Sequence, residues 1–273
     1  MAEVLEDRSV ANDVFSEPND SIVPHIALYV TQLVALVSPK FTGRRFFFSG
    51  ILLALMVQAM RHPRFTNNMG TAQPFCIQWS FWIATMEKLL LSGEEGPEAH
   101  FWRLDKRPRE AESYPWFSFR KLSWAFMLIL NQRGVGWNHQ VKNVPRVTET
   151  KKSAFLMNRL FWFVTNFLLA DLLFHLSIRF FYTNPVTGVV GDVNSKYLTL
   201  DYACPGWRFV TIFVFAATPY FVLSAQNSLF SIVFVSLGFG SPEDWPHQFN
   251  PISEAFTVRF FWGKYWHQNI RRF

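Results

Sequence analysis

Long apolar runs almost free of formal charge set the terms on which this chain can fold. Residues 21–38 contain one histidine and no charged side chain. At 1.5 Å per residue such a helix reaches about 27 Å, close to the thickness of a bilayer's hydrocarbon core. Residues 46–60 are wholly uncharged, and 77–91, preceded by the apolar 72–76, carry only Glu87 and Lys88. A fourth run occupies 154–181 and a fifth 207–239. The fifth is longer than one crossing needs, and a break is expected near Pro219 or at 224–228.

The composition agrees with a lipid environment. Half the residues are hydrophobic and 18% are aromatic, including 31 Phe and 11 Trp, more aromatic surface than a water-bounded core of this length uses. The net charge of +6 does not indicate nucleic acid, because the cations stand beside the apolar runs, as juxtamembrane charges do. Cys76 and Cys204 form neither a CxxC nor a Cys/His spacing, so no disulfide framework and no metal site are expected. P-loop, serine-elbow and HExxH patterns are likewise missing from the sequence.

The expected architecture is therefore all-α: a polytopic membrane protein of four to five transmembrane helices with cytosolic amphipathic helices. An acidic flexible tail covers 1–20 and a membrane domain covers 21–273. Within that domain, 92–153 forms a large loop and 240–273 an interfacial segment. Lys and Arg alternate between rich and poor connections, and the positive-inside tendency puts the large loop and the C-terminal segment on the cytosolic face.

The last twenty residues, EAFTVRFFWGKYWHQNIRRF, repay closer inspection. Wound at about 100° per residue, Val258, Trp262, Tyr265, Trp266, Ile270 and Phe273 share an arc that Arg259 alone interrupts, and Lys264, His267 and Arg271 share another. Such a helix would lie in the membrane interface or, more simply, on a protein surface. Two other features admit two readings. The Arg133–Gly134–Val135–Gly136 turn, flanked by Arg133 and Lys142, either exposes backbone amides to an anion or is a structural turn. Asp171 and His175 share a helix face, either as a structural hydrogen bond or as an intramembrane relay.

Four blocks carry a resemblance. RGVGWN (133–138) with VKNVP (141–145), PEDWP (242–246), SEAFTVR (253–259) and FWGKYWHQ (261–268) follow one another in an order similar to that of the fungal wax-synthase-like membrane O-acyltransferases. These are relatives of the membrane-bound O-acyltransferase superfamily that often acetylate terpenoid or meroterpenoid alcohols in secondary metabolism. The resemblance covers the chain from about Pro24 onward. It implies an enzyme of the endoplasmic reticulum, multi-pass, that moves an acetyl group from acetyl-CoA, a co-substrate rather than a bound cofactor, to a lipophilic alcohol within membrane lipid.

On that basis His267 is expected in a catalytic role, Arg133, Lys142, Arg259 and Lys264 on the phosphates of coenzyme A, and Trp262, Trp266, Trp137 and Asn138 along the substrate tunnel. No metal is expected. The superfamily carries a second histidine in a later membrane helix, whereas this sequence ends at Phe273. Either the form is truncated, or it is a natural short one, or His267 acts without that partner, with a truncated, catalytically inactive membrane-binding or partner protein as the alternative function.

Overall fold

The computed structural model describes residues 18–149, 151–179 and 205–266. Among these residues the chain is all-helical, with a single isolated bridge between Arg103 and Trp137 in place of any strand. It divides into two compact units, residues 1–141 with 269–273, and residues 142–268. Most of the acidic tail, the 181–204 connection and His267 to Phe273 lie outside the described residues.

The first unit holds α1 (Val23–Val37), α2 (Arg44–Met60), α3 (Met69–Cys76), α4 (Gln78–Leu91) and α5 (Phe119–Leu130). Local chemistry fixes several starts. Pro24 occupies the first turn of α1, where its missing N–H costs nothing. The side chains of Asn68 and Ser118 accept from Thr71 N at 3.0 Å and Lys121 N at 3.2 Å, capping α3 and α5. α1 packs against α2, α4 and α5 around Leu28, Leu36, Leu52, Leu89, Trp124 and Leu128. Buried polar pairs tie the helices: Thr85 Oγ1 donates to Gln32 Oε1 at 3.1 Å, and His25 bridges the His62 carbonyl and Gln78.

The charged stretch 97–113, within the large loop, is only partly solvated. Glu98 is fully buried, because two cations need it: Arg44 Nη1 donates to its Oε1 at 2.8 Å, and Lys121 Nζ lies 3.9 Å away. Arg44 also donates to the carbonyls of Ala35 and Leu36, capping the C-terminus of α1. Burial pushes the Lys121 ammonium down to about 8, against the nearby Glu98, which raises it.

The second unit is built on α6 (Lys152–Ser177) packed against α7 (Pro205–Ser236). These are the two described helices long and apolar enough to cross a membrane. Only 11% and 18% of their most apolar windows are buried, so Phe161, Phe167, Leu168 and Phe213 face outward, unlike side chains of a water-soluble core helix. The expected break in the fifth run does not occur. α7 continues through Pro219 and through 224–228, as helices of lipid-facing bundles can when nearby groups take over the freed carbonyl.

The C-terminal stretch departs most from its expected form. Val258–Phe260 makes one helical turn, Phe261–Tyr265 a wider π turn, and Trp266 is extended, with φ −63° and ψ 153°. The 3.6-residue register assumed for one continuous amphipathic helix therefore stops after Phe260.

Candidate functional site

The predicted site residues separate between the two units. Arg133, Trp137 and Asn138 belong to the first unit, while Lys142, Arg259, Trp262, Lys264 and Trp266 belong to the second. His267 lies outside the described residues.

In the first unit the glycine turn spends its amides internally. Gly134 N donates to the Asn131 carbonyl at 2.9 Å, Val135 N to Asn131 Oδ1 at 3.0 Å, Gly136 N to Gln140 Oε1 at 3.0 Å and Trp137 N to the Gly134 carbonyl at 2.9 Å. The anion-cradle reading of this turn is therefore corrected: its donors already have partners. Gly134, at φ +63°, is required by space as well, since a Cβ there would stand 2.9 Å from the His139 ring. Trp137 is 1% exposed within the core and Arg133 is also buried, so neither forms an open wall or a surface for phosphate. Asn138 accepts from Trp102 N at 3.2 Å and donates to the His100 carbonyl at 2.8 Å, which makes it a loop fastener.

In the second unit two of the sequence blocks, VKNVP and FWGKYWHQ, meet through a residue outside both. Asn250 is the knot: its Nδ2 donates to the Asn143 carbonyl at 2.8 Å and to the Lys264 carbonyl at 2.7 Å, and its backbone N–H to the Tyr265 carbonyl at 3.2 Å. Asn143 Nδ2 reaches the Gly263 carbonyl at 3.4 Å. The backbones of Lys142 and Lys264 therefore share one edge. Lys264 Nζ lies 4.4 Å from the centre of the Phe260 ring, while Lys142, Arg259 and Trp262 are exposed. Trp266 stacks on Phe261 and meets Phe249 edge-on at 5.2 Å. Burial, assisted by Tyr220, pushes the Tyr265 hydroxyl up to about 12, so it stays a hydrogen-bond donor at ordinary pH.

Beneath this knot lies a cavity of about 70 Å³, lined by Trp162 and Asn166 of α6, by Tyr220, Ser224, Asn227 and Ser228 of α7, and by His247, Gln248 and Phe249. Tyr220 joins it to the aromatic motif, with ring centres 4.5 Å from Phe249 and 6.1 Å from Tyr265.

Next to the cavity sits Arg159, 1% exposed although it is two turns inside α6. Residues placed here near a helix end were free to reach for water. Instead the guanidinium turns inward, donating from Nη2 to the Trp245 carbonyl and from Nη1 to His247 Nδ1 at 3.0 Å. A guanidinium has no acceptor, so Nδ1 of His247 must accept and the neutral ring carries its proton on Nε2.

Neither Arg159 nor His247 was among the predicted site residues. The usable signal was positional: Tyr220, Ser224, Asn227, Ser228 and Ser231 recur at helical spacing on α7, a polar stripe inside an apolar run. Asp171 and His175, by contrast, pair at 3.7 Å with both side chains largely exposed on the outer surface of α6, away from the cavity.

Comparison with known proteins gives two family matches, both almost wholly within residues 142–268. The aspirochlorine biosynthesis protein F C-terminal domain matches residues 151–236, the span from α6 to α7, and the membrane bound O-acyl transferase family matches residues 245–273. The chain is 40% identical over 236 residues to aspirochlorine biosynthesis protein F of Aspergillus oryzae, covering 86% of this chain and 91% of that protein. It is 29% identical to the acetyltransferase nanB of Aspergillus nanangensis, over 56% of this chain and 40% of that one. It is 24% identical to the acetyltransferase atnC of an Arthrinium species, over 96% and 63%. The chain thus spans about two fifths to two thirds of the length of these acetyltransferases. No solved structure matches.

Proposed function

The chain belongs to the fungal membrane-bound O-acyltransferase-like family that includes aspirochlorine biosynthesis protein F, and from that membership we propose that it transfers an acetyl group from acetyl-CoA to a hydroxyl of a lipophilic terpenoid or meroterpenoid alcohol. The observation that carries this reading is the union, through Asn250 and Phe249, of the FWGKYW motif with a polar cavity between two membrane-length helices. Such a union supports chemistry between a water-borne thioester and a lipid-borne alcohol.

In the proposed reaction the alcohol oxygen attacks the thioester carbonyl carbon, the C–O bond forms, and the C–S bond breaks. His267 takes the hydroxyl proton and returns it to the departing coenzyme A thiolate. Lys142, Arg259 and Lys264 form the cationic edge proposed for the phosphates, and Trp262 and Trp266 the aromatic approach. A closed apolar surround keeps water from competing for the acyl group. The same reading makes the protein multi-pass in the endoplasmic reticulum, with α1, α2 and α4 as shorter spans in addition to α6 and α7.

The test is ester formation by microsomes carrying the full chain, supplied with radiolabelled acetyl-CoA and a set of terpenoid alcohols. Labelled ester is expected from the wild type and none from His267→Ala at equal membrane abundance. A wild type that makes no ester from any alcohol would instead favour a membrane-binding or partner role.

A further inference from the structure

We propose that the α6–α7 cavity is the subsite for the hydroxyl end of a lipophilic alcohol, with the amide oxygens of Asn166 and Asn227 as the groups that receive its O–H. The identification of that alcohol as the acyl acceptor rests on the function proposed above, whereas the preference for a hydroxyl rests on the cavity alone.

The argument is one of hydrogen-bonding capacity. Asn166 Nδ2 donates to the Trp162 carbonyl at 2.6 Å, and Asn227 Nδ2 to the Pro246 carbonyl at 3.2 Å. A carbonyl can only accept, so the nitrogen of each amide is fixed against it and the oxygen is what each side chain can offer elsewhere. No donor among the described residues reaches either Oδ1. Ser228 spends its hydroxyl proton on the Ser224 carbonyl at 2.9 Å, which likewise leaves it as an acceptor toward the cavity.

The lining also carries donors, on Tyr220, Gln248 and the His247 ring, but with these three acceptors to satisfy the cavity is less well matched to an ether, a ketone or an ester, none of which has a proton to give. It is well matched to an alcohol. At about 70 Å³ the space exceeds the ~10–15 Å³ that one water-sized group requires, yet it takes only the polar end of a terpenoid. The hydrocarbon body would then lie outside, against the exposed Trp162 ring at the rim. Asn166 is 5% exposed and Ser228 2%, so bulk water offers little competition for the O–H.

Photolabelling in phosphatidylcholine nanodiscs tests this without requiring turnover. The purified full chain is exposed to a diazirine derivative of farnesol and, separately, to the O-methyl ether of the same compound. The alcohol is expected to label peptides containing Trp162 and Tyr220 about tenfold more than the ether, the factor set by one lost hydrogen bond. In Asn166→Leu/Asn227→Leu the two probes should label alike. If that variant does not fold, the comparison of the two probes on the wild type decides alone. Equal labelling of the wild type by alcohol and ether, or alcohol labelling confined to other peptides, would overturn the subsite. Labelling here with no ester formed by any microsome would refute acyl transfer and leave the subsite standing, and ester formation with the label elsewhere would do the reverse.

Discussion

Each unit buries cations, but on different terms. In the first, Arg44 and Lys121 converge on Glu98, and the charges are met by a carboxylate and by backbone carbonyls. In the second, Arg159 is buried as deeply with neutral hydrogen-bond partners, a carbonyl and an imidazole, and its Nε has none among the described residues. A closed set of charges fastens helices together. A guanidinium that faces a carboxylate, Glu149, only at longer range and rests on the Phe155 ring instead fixes the tautomer of a histidine beside a polar cavity.

The sharpest way to break this comparison is Glu98→Gln. Removing one member of a buried charge set should cost about 3–5 kcal/mol, measured by denaturant unfolding in detergent micelles. A loss below about 1 kcal/mol would make the first unit's network incidental. Next in size is Asn250→Ala, which removes two hydrogen bonds at 2.7 and 2.8 Å and should cost about 1–3 kcal/mol, with amide exchange rising in 261–265.

A titration sharpens the first unit's side. The Lys121 ammonium falls from 10.5 when unfolded to about 8 when folded, so between these values the unfolded chain binds more protons. Stability should therefore rise as pH climbs from 8 to 10.5, by about 1–3 kcal/mol, and Lys121→Met should flatten that slope. The smallest expected change in stability is that of Arg159→Met. Exchanging this buried cation for an apolar chain of similar length relieves its desolvation but takes the donor from the Trp245 carbonyl and His247 Nδ1, so unfolding should shift by only about 1 kcal/mol, while ester formation falls because His247 loses its fixed tautomer. A stability loss as large as that of Glu98→Gln would erase the distinction between the units.

Much of the helical framework was legible in the chain. The run at 46–60 became Arg44–Met60, and the run at 77–91 became Gln78–Leu91. Periodicity and the lack of charge suffice for such elements, because burying an apolar face dominates locally. The same method failed at 258–266, where Asn250 pulls on the carbonyls of Lys264 and Tyr265 from outside the segment, and no pattern within the segment reports that pull. It failed again at Glu98, whose burial depends on Arg44 and Lys121, 54 and 23 positions away.

The sequence by itself determined an all-helical chain with membrane-length apolar segments and the motifs of its family, since these depend on composition and short-range spacing. Only the tertiary structure decided that the glycine turn consumes its own amides, that Arg159 faces inward to His247, and that Asn166 and Asn227, their amide nitrogens committed to carbonyls, line one cavity. The physical reason is that a hydrogen-bonding group's availability depends on which of its atoms is already taken, and the atoms that take them come from other elements, brought near only by folding.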